Sequence, residues 1–137
     1  MKRRARTLER TAVAAALLAA VGLWAPADSA AQAPAVETVV ATAVQDRQPV
    51  GEGVDFPADV GQIFVWTRVT GATGTSIQHV WMHPDGQETP VSLDVGGSPW
   101  RTWSSKTIPR EWAGEWTVEI RDAAGNVLDT VSFMVGG

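Results

Sequence analysis

Both histidines of the chain, three of its seven tryptophans and a polar, basic run fall within His79 to Lys106, which reads HVWMHPDGQETPVSLDVGGSPWRTWSSK. If this chain carries chemistry, it is concentrated here. A metal site is the first chemistry to weigh. On an extended strand, positions four apart are separated by roughly 13 Å, so His79 and His83 cannot share one ion. A strand chelate needs residues i and i+2, and the position between the two histidines is Trp81. With no cysteine in the chain, neither a metal nor another cofactor is expected. Hydrolysis would need Ser104 or Ser105 beside His79 and an acid, but no nucleophile elbow surrounds the serines, and adjacent serines on a strand commonly make cross-strand hydrogen bonds. A carboxylate pair for glycoside cleavage could be drawn from any of thirteen acids beyond residue 31, which leaves every choice arbitrary. The glycine-rich turns are isolated and do not open a helix, so phosphate cradling is not expected. A non-enzymatic chain is expected, because no acid, base and stabiliser converge.

Binding is the remaining chemistry, and Trp100 to Lys106 (WRTWSSK) is its place. On a strand, Arg101, Trp103 and Ser105 share one face, and Trp100, Thr102, Ser104 and Lys106 share the other. One tryptophan must then leave the core side. The functional reading is an aromatic platform beside a guanidinium fork, able to stack on a sugar or clamp a peptide. The structural reading is a buried tryptophan covered by Arg101 in a cation–π stack. The candidate ligand-binding residues are Arg101, Trp103 and Ser105, with His79 and Trp81 from the same stretch.

The elements that position these residues are short and extended. Val36 to Val44 is β-branched and ends at the turn cluster Asp46-Arg47-Gln48-Pro49, which predicts a first strand. Val50 to Val60 reads as a loop pinned by the ring of Phe56. In Gln62 to Thr70 both alternating sets are largely apolar, the mark of a central strand. Ser76 to His83 places Ile77, His79, Trp81 and His83 on one face and Gln78, Val80 and Met82 on the other. Pro84-Asp85-Gly86 turns the chain into Val91 to Val95, with Val91, Leu93 and Val95 inward. Trp100 to Lys106 is a strand of weaker pattern, and Ile108 to Gly114 a connection. Glu115 to Arg121 turns Trp116, Val118 and Ile120 inward, and should form a hairpin with Val127 to Val135. About seven strands with turns every eight to twelve residues predict an all-β, immunoglobulin-like antiparallel sandwich, with a small β-barrel as the alternative.

The first 31 residues have the layout of a secretory signal. Five basic side chains precede Arg10 or include it, Thr11 to Trp24 is an Ala/Leu/Val run, and Ser29-Ala30-Ala31 offers small residues for cleavage after Ala31. The apolar run is short of the roughly 20 residues a membrane span needs. The expected organisation is a cleaved leader at 1–31, a flexible lead-in at 32–35 and one domain at 36–137. Beyond the leader, six basic and thirteen acidic side chains leave a net charge of −7 with neutral histidines. That charge argues against nucleic acid and anionic lipid as partners. No later segment would anchor the mature chain to a membrane. Without cysteines, the exported domain must rest on a hydrophobic core, and roughly 106 residues suffice.

Several motifs occur in one order: His79-Val80-Trp81, the Trp100 to Lys106 run, Gly114-Glu115-Trp116-Thr117-Val118-Glu119, Gly125 to Leu128 and Phe133 to Val135. From about Val36 to Val135 the chain resembles a bacterial family, the domain of unknown function 2914. The resemblance implies a β-rich domain and no particular activity. His83 departs from it, standing where an aromatic residue is expected. Together these readings predict a periplasmic or secreted β-sandwich that acts as a binding or accessory module for an envelope protein. A glycan- or peptidoglycan-binding domain is the first rival and a small hydrolase the second. A sugar binder should expose Trp81, Trp100 or Trp103, and a hydrolase should place His79 against a serine and an acid.

Overall fold

The computed structural model describes residues 34–136, and the expected signal segment lies outside the described residues. Seven strands have seven or more residues: β1 (Ala35–Ala41), β5 (Gly61–Thr70), β6 (Ser76–Met82), β7 (Glu88–Asp94), β8 (Trp100–Ile108), β9 (Gly114–Asp122) and β10 (Val127–Val135). Three short ones, β2 (Ala43–Gln45), β3 (Gln48–Val50) and β4 (Asp55–Phe56), lie between β1 and β5. One sheet has the order β8-β5-β1 and the other β4-β10-β9-β6-β7. The long strands pair antiparallel throughout, and neither sheet closes on itself. The fold is therefore the expected immunoglobulin-like sandwich, with the fourth long strand paired to the third.

Side-chain alternation decides which faces meet. From the three-stranded sheet, Ile63, Val65, Val69 and Ile108 point inward; from the larger sheet, Ile77, Trp81, Trp116, Val118, Ile120 and Phe133 do so, and all are buried. Trp116 stacks on Phe133 with centroids 6.1 Å apart and planes 9° from parallel, and Trp81 meets the same ring edge-on. These contacts make the core that a chain without disulfides requires.

The region before β5 differs from its expected form. The predicted first strand breaks at Thr42, whose N–H bonds to the carbonyls of Val50 and Gly51, and the chain continues as the β2–β3 hairpin. Its two-residue turn, Asp46-Arg47, has φ of 50° and 62°. A turn of this handedness matches the strand twist but favours Asn or Gly, so Arg47 is held in a conformation it rarely adopts. The loop expected at Val50 to Val60 is anchored by Phe56 as predicted, and Asp55–Phe56 also pairs in parallel with β10. Ala35, expected in the lead-in, already belongs to β1.

β5 buries Ile63, Val65, Thr67 and Val69 on one face and Trp66 on the other, while Arg68 stays exposed. Its inner face meets the opposite sheet, while on its outer face Trp66 is covered by the β2–β3 hairpin and donates its Nε1–H to the Arg47 carbonyl at 3.0 Å. The central position of β5, between β8 and β1, follows. No helix among the described residues is long and apolar enough to cross a membrane.

Candidate functional site

β8 divides the central stretch as its alternation predicts. Ser104 turns inward and is buried, whereas Arg101 and Trp103 lie half-buried and Ser105 exposed on the outer face. His79 and Trp81 sit on the inner face of β6 with no exposed surface. The five candidate ligand-binding residues therefore do not form one site. His79 and Trp81 are corrected to interior residues, because their strand face is sealed by the opposing sheet.

The interior pair belongs to a directed hydrogen-bond chain. Trp81 Nε1–H donates to Ser104 Oγ at 3.0 Å, and Ser104 lies 2.7 Å from His79 Nδ1. On the other side of the ring, His79 Nε2 lies 3.2 Å from Thr67 Oγ1, which donates to the Thr102 carbonyl at 3.1 Å. Thr67 has one proton and spends it on that carbonyl, so it must accept from Nε2–H. Nδ1 is then bare and accepts from Ser104. The network selects one neutral tautomer, and burial pushes the His79 pKa down from 6.5 to about 4. Ser104 and His79 thus resemble two members of a hydrolytic triad, but the third partner is the hydroxyl of Thr67 rather than an acid.

The outer face gathers different chemistry. In register, Arg101 lies opposite Arg68, Trp103 opposite Trp66 and Ser105 opposite Phe64, while Glu37 of β1 lies opposite Arg68. Ser105 Oγ accepts from Gln62 Nε2 at 3.1 Å. A cavity of about 410 Å³ opens here between the sheet and the hairpin, lined by Glu37, Arg47, Trp66, Arg68, Pro99 and Arg101. The expected stack of Arg101 on a tryptophan is not what forms. Arg47 from the hairpin lies over the Trp100 ring at 5.4 Å, and Lys106 over Trp112 at 5.8 Å.

A second feature at one end of the sandwich was not singled out from sequence. After β8, Arg110–Trp112 forms a single 3₁₀ turn that brings Trp112 over the end of β9. Trp116 Nε1–H donates to the Trp112 carbonyl at 3.0 Å, and the His83 ring lies 4.4 Å from Trp116 and 5.2 Å from Trp112. His83 therefore packs as an aromatic ring, which accounts for its place where the family resemblance expects one. Burial lowers its pKa, with Lys106 adding to the shift and Asp85 opposing it. Trp112 remains 41% exposed beside a cavity of about 320 Å³ lined by His83, Pro84, Asp85, Glu111 and Ala113. Gly114, with φ of 132°, closes against Pro84, where a Cβ would approach to 3.0 Å. The sequence signal was Trp112 itself, a large apolar side chain inside a polar connection.

No group of three or more His, Cys, Asp or Glu side chains arranged to hold a metal occurs among the described residues. The protein-family comparison follows the same stretch of chain. Residues 74–135 match the family model described as a protein of unknown function, DUF2914. The match bears out the resemblance from just before β6 to the end of β10, and so covers His79, the β8 run and Trp116; the expected extent from Val36 to residue 73 precedes it. No curated protein matches the chain.

Proposed function

We propose that the protein is an exported, non-enzymatic binding module of the cell envelope, periplasmic or secreted, that engages a partner protein through the outer face of the β8-β5-β1 sheet. One observation carries this reading: Arg101 and Trp103, on the candidate strand, lie directly opposite Arg68 and Trp66, and Arg101, Arg68 and Trp66 line an open cavity. Aromatic and arginine side chains together are the usual contributors to an interface. The hydrolytic reading has weaker support, since the Ser104–His79 pair is enclosed between the sheets and has a threonine in place of an acid. For export, the support is the leader-like composition of residues 1–31.

The test is retention of the mature protein on native envelope partners. Arg101→Ala and Trp103→Ala should each weaken retention by about 1 kcal/mol or more while the thermal midpoint is held. Loss of stability without a binding defect would refute the face. N-terminal sequencing should find a product beginning near Gln32, and an intact Met1 in the folded protein would refute export.

Trp112 favours a second reading, a glycan-binding module. It is the exposed indole with polar neighbours that such a module requires, in place of the Trp81, Trp100 or Trp103 expected from sequence. Retention on peptidoglycan that Trp112→Ala abolishes and Trp103→Ala leaves unchanged would select it.

A further inference from the structure

The cavity between the β2–β3 hairpin and the sheet has a charge unlike the rest of the domain. Residues 34–136 carry six basic and thirteen acidic side chains, yet three of the six, Arg47, Arg68 and Arg101, line this one cavity. Of the other three, Arg110 pairs with Asp59 at 3.6 Å, Arg121 pairs with Glu119 at 2.6 Å, and Lys106 lies over Trp112. Among the described residues no carboxylate comes within 4.0 Å of the three cavity arginines. Glu37 is the single acid in the lining and forms no ion pair there. Arg68 and Arg101 also stand directly opposite each other on adjacent strands, an arrangement that costs stability when nothing lies between the charges.

The third arginine is held in place. Arg47 sits in a turn of two consecutive positive-φ residues, its carbonyl is tied to the buried Trp66 indole, and its guanidinium rests on Trp100. Such a group is oriented before a ligand arrives, which lowers the entropic cost of binding. Arginine's planar fork suits oxyanions, and phosphate oxygens above all. Three guanidinium groups and one carboxylate leave the cavity with a net charge of +2, which a dianion neutralises and a carboxylate does not. A volume of about 410 Å³ leaves room for the group that carries the anion.

The geometry points to a binding site for a phosphate monoester, held by Arg47, Arg68 and Arg101, as the part of the partner or ligand that this face recognises. This names the ligand chemistry of the outer face and rests on the reading of that face as the binding surface. At neutral pH a phosphate monoester carries a charge near −2, with its second ionisation near pH 6. A sulfate monoester of the same shape carries only one charge.

The test titrates the mature protein with phenyl phosphate, phenyl sulfate, benzoate and inorganic phosphate at pH 7.5, following the Trp66 indole N–H by NMR and affinity by calorimetry. Phenyl phosphate should shift the Trp66 signal and bind at least about tenfold tighter than phenyl sulfate or benzoate, a difference of about 1.4 kcal/mol. Arg68→Gln and Arg101→Gln, both with surface-facing side chains and checked for an unchanged melting midpoint, should each weaken phenyl phosphate at least about tenfold. Glu37→Gln should tighten it. Binding should decline below about pH 6 as the second proton returns. Equal affinity for the three organic anions, an unmoved Trp66 signal, or unaltered binding by the arginine variants would overturn the proposal. Tighter binding of inorganic phosphate than of the ester would overturn the assignment to a monoester. Loss of partner retention in Arg101→Ala and Trp103→Ala without phenyl phosphate binding would refute the ligand class and leave the face intact. Phenyl phosphate binding with full retention in those variants would refute the face.

Discussion

Lowering the pH should weaken this fold through His79 before its carboxylates respond. The imidazole is enclosed between the two sheets as the neutral tautomer, with both nitrogens engaged, and its pKa falls from 6.5 to about 4. A proton on Nδ1 would face the Ser104 hydroxyl, whose own proton must then turn away, and would place a charge in an apolar interior. In the unfolded chain the same group titrates near 6.5. The unfolded state therefore binds the proton first, so stability is fully present above pH 6.5, declines as pH falls towards 4, and levels off below it. One pKa unit corresponds to about 1.4 kcal/mol, so the whole shift amounts to about 3 kcal/mol, of which between roughly 2 and 3 is lost from pH 7.5 to 4.5. For a domain whose total stability is about 5 to 15 kcal/mol, that loss is large. The lowered His83 pKa acts in the same direction, while the stability from Asp122, whose carboxyl is held below 3.8 by the Asn126 amide and neighbouring N–H groups, is lost only at lower pH. Urea unfolding at half-unit pH steps, repeated on His79→Gln and His83→Gln, separates the contributions. His79→Gln should be weaker at pH 7.5 and lack most of the slope between pH 6.5 and 4.5. A flat wild-type profile over that range, or the same slope in His79→Gln, would refute the assignment.

Three further perturbations test the interior. Ser104→Ala removes the acceptor for Trp81 Nε1–H and the donor to His79 Nδ1, and urea unfolding should show a loss of about 1 to 3 kcal/mol. Trp116→Ala empties the centre of the aromatic core and should cost about 3 to 5 kcal/mol; an unchanged unfolding midpoint would show that this face is not core. The Thr38 hydroxyl is buried without a hydrogen-bond partner, so Thr38→Val should raise the melting temperature, reflecting a gain of up to about 1 kcal/mol, and a fall would reveal a partner for that oxygen.

The period-two alternation of β6, β8 and β9 determined much from sequence alone. It fixed which residues of WRTWSSK share a face, placed Trp116, Val118 and Ile120 in the core, and marked β5 as central because both of its faces are apolar. Alternation is local, since successive side chains on a strand must point to opposite sides. What covers a given face is not local. His79 and Trp81 share one face of β6 by the same alternation, but only the approach of β8 and β5 shows that Ser104 and Thr67 close around them. Trp66 faces outward by the same alternation, yet the hairpin from residues 43–50 buries it. Arg47, Arg68 and Arg101 are separated by 21 and 33 residues, and no spacing rule joins a turn residue to two strands. Their convergence arises from strand pairing across the sheet and the folding back of the hairpin, so the most basic place in an acidic domain exists only in the tertiary structure.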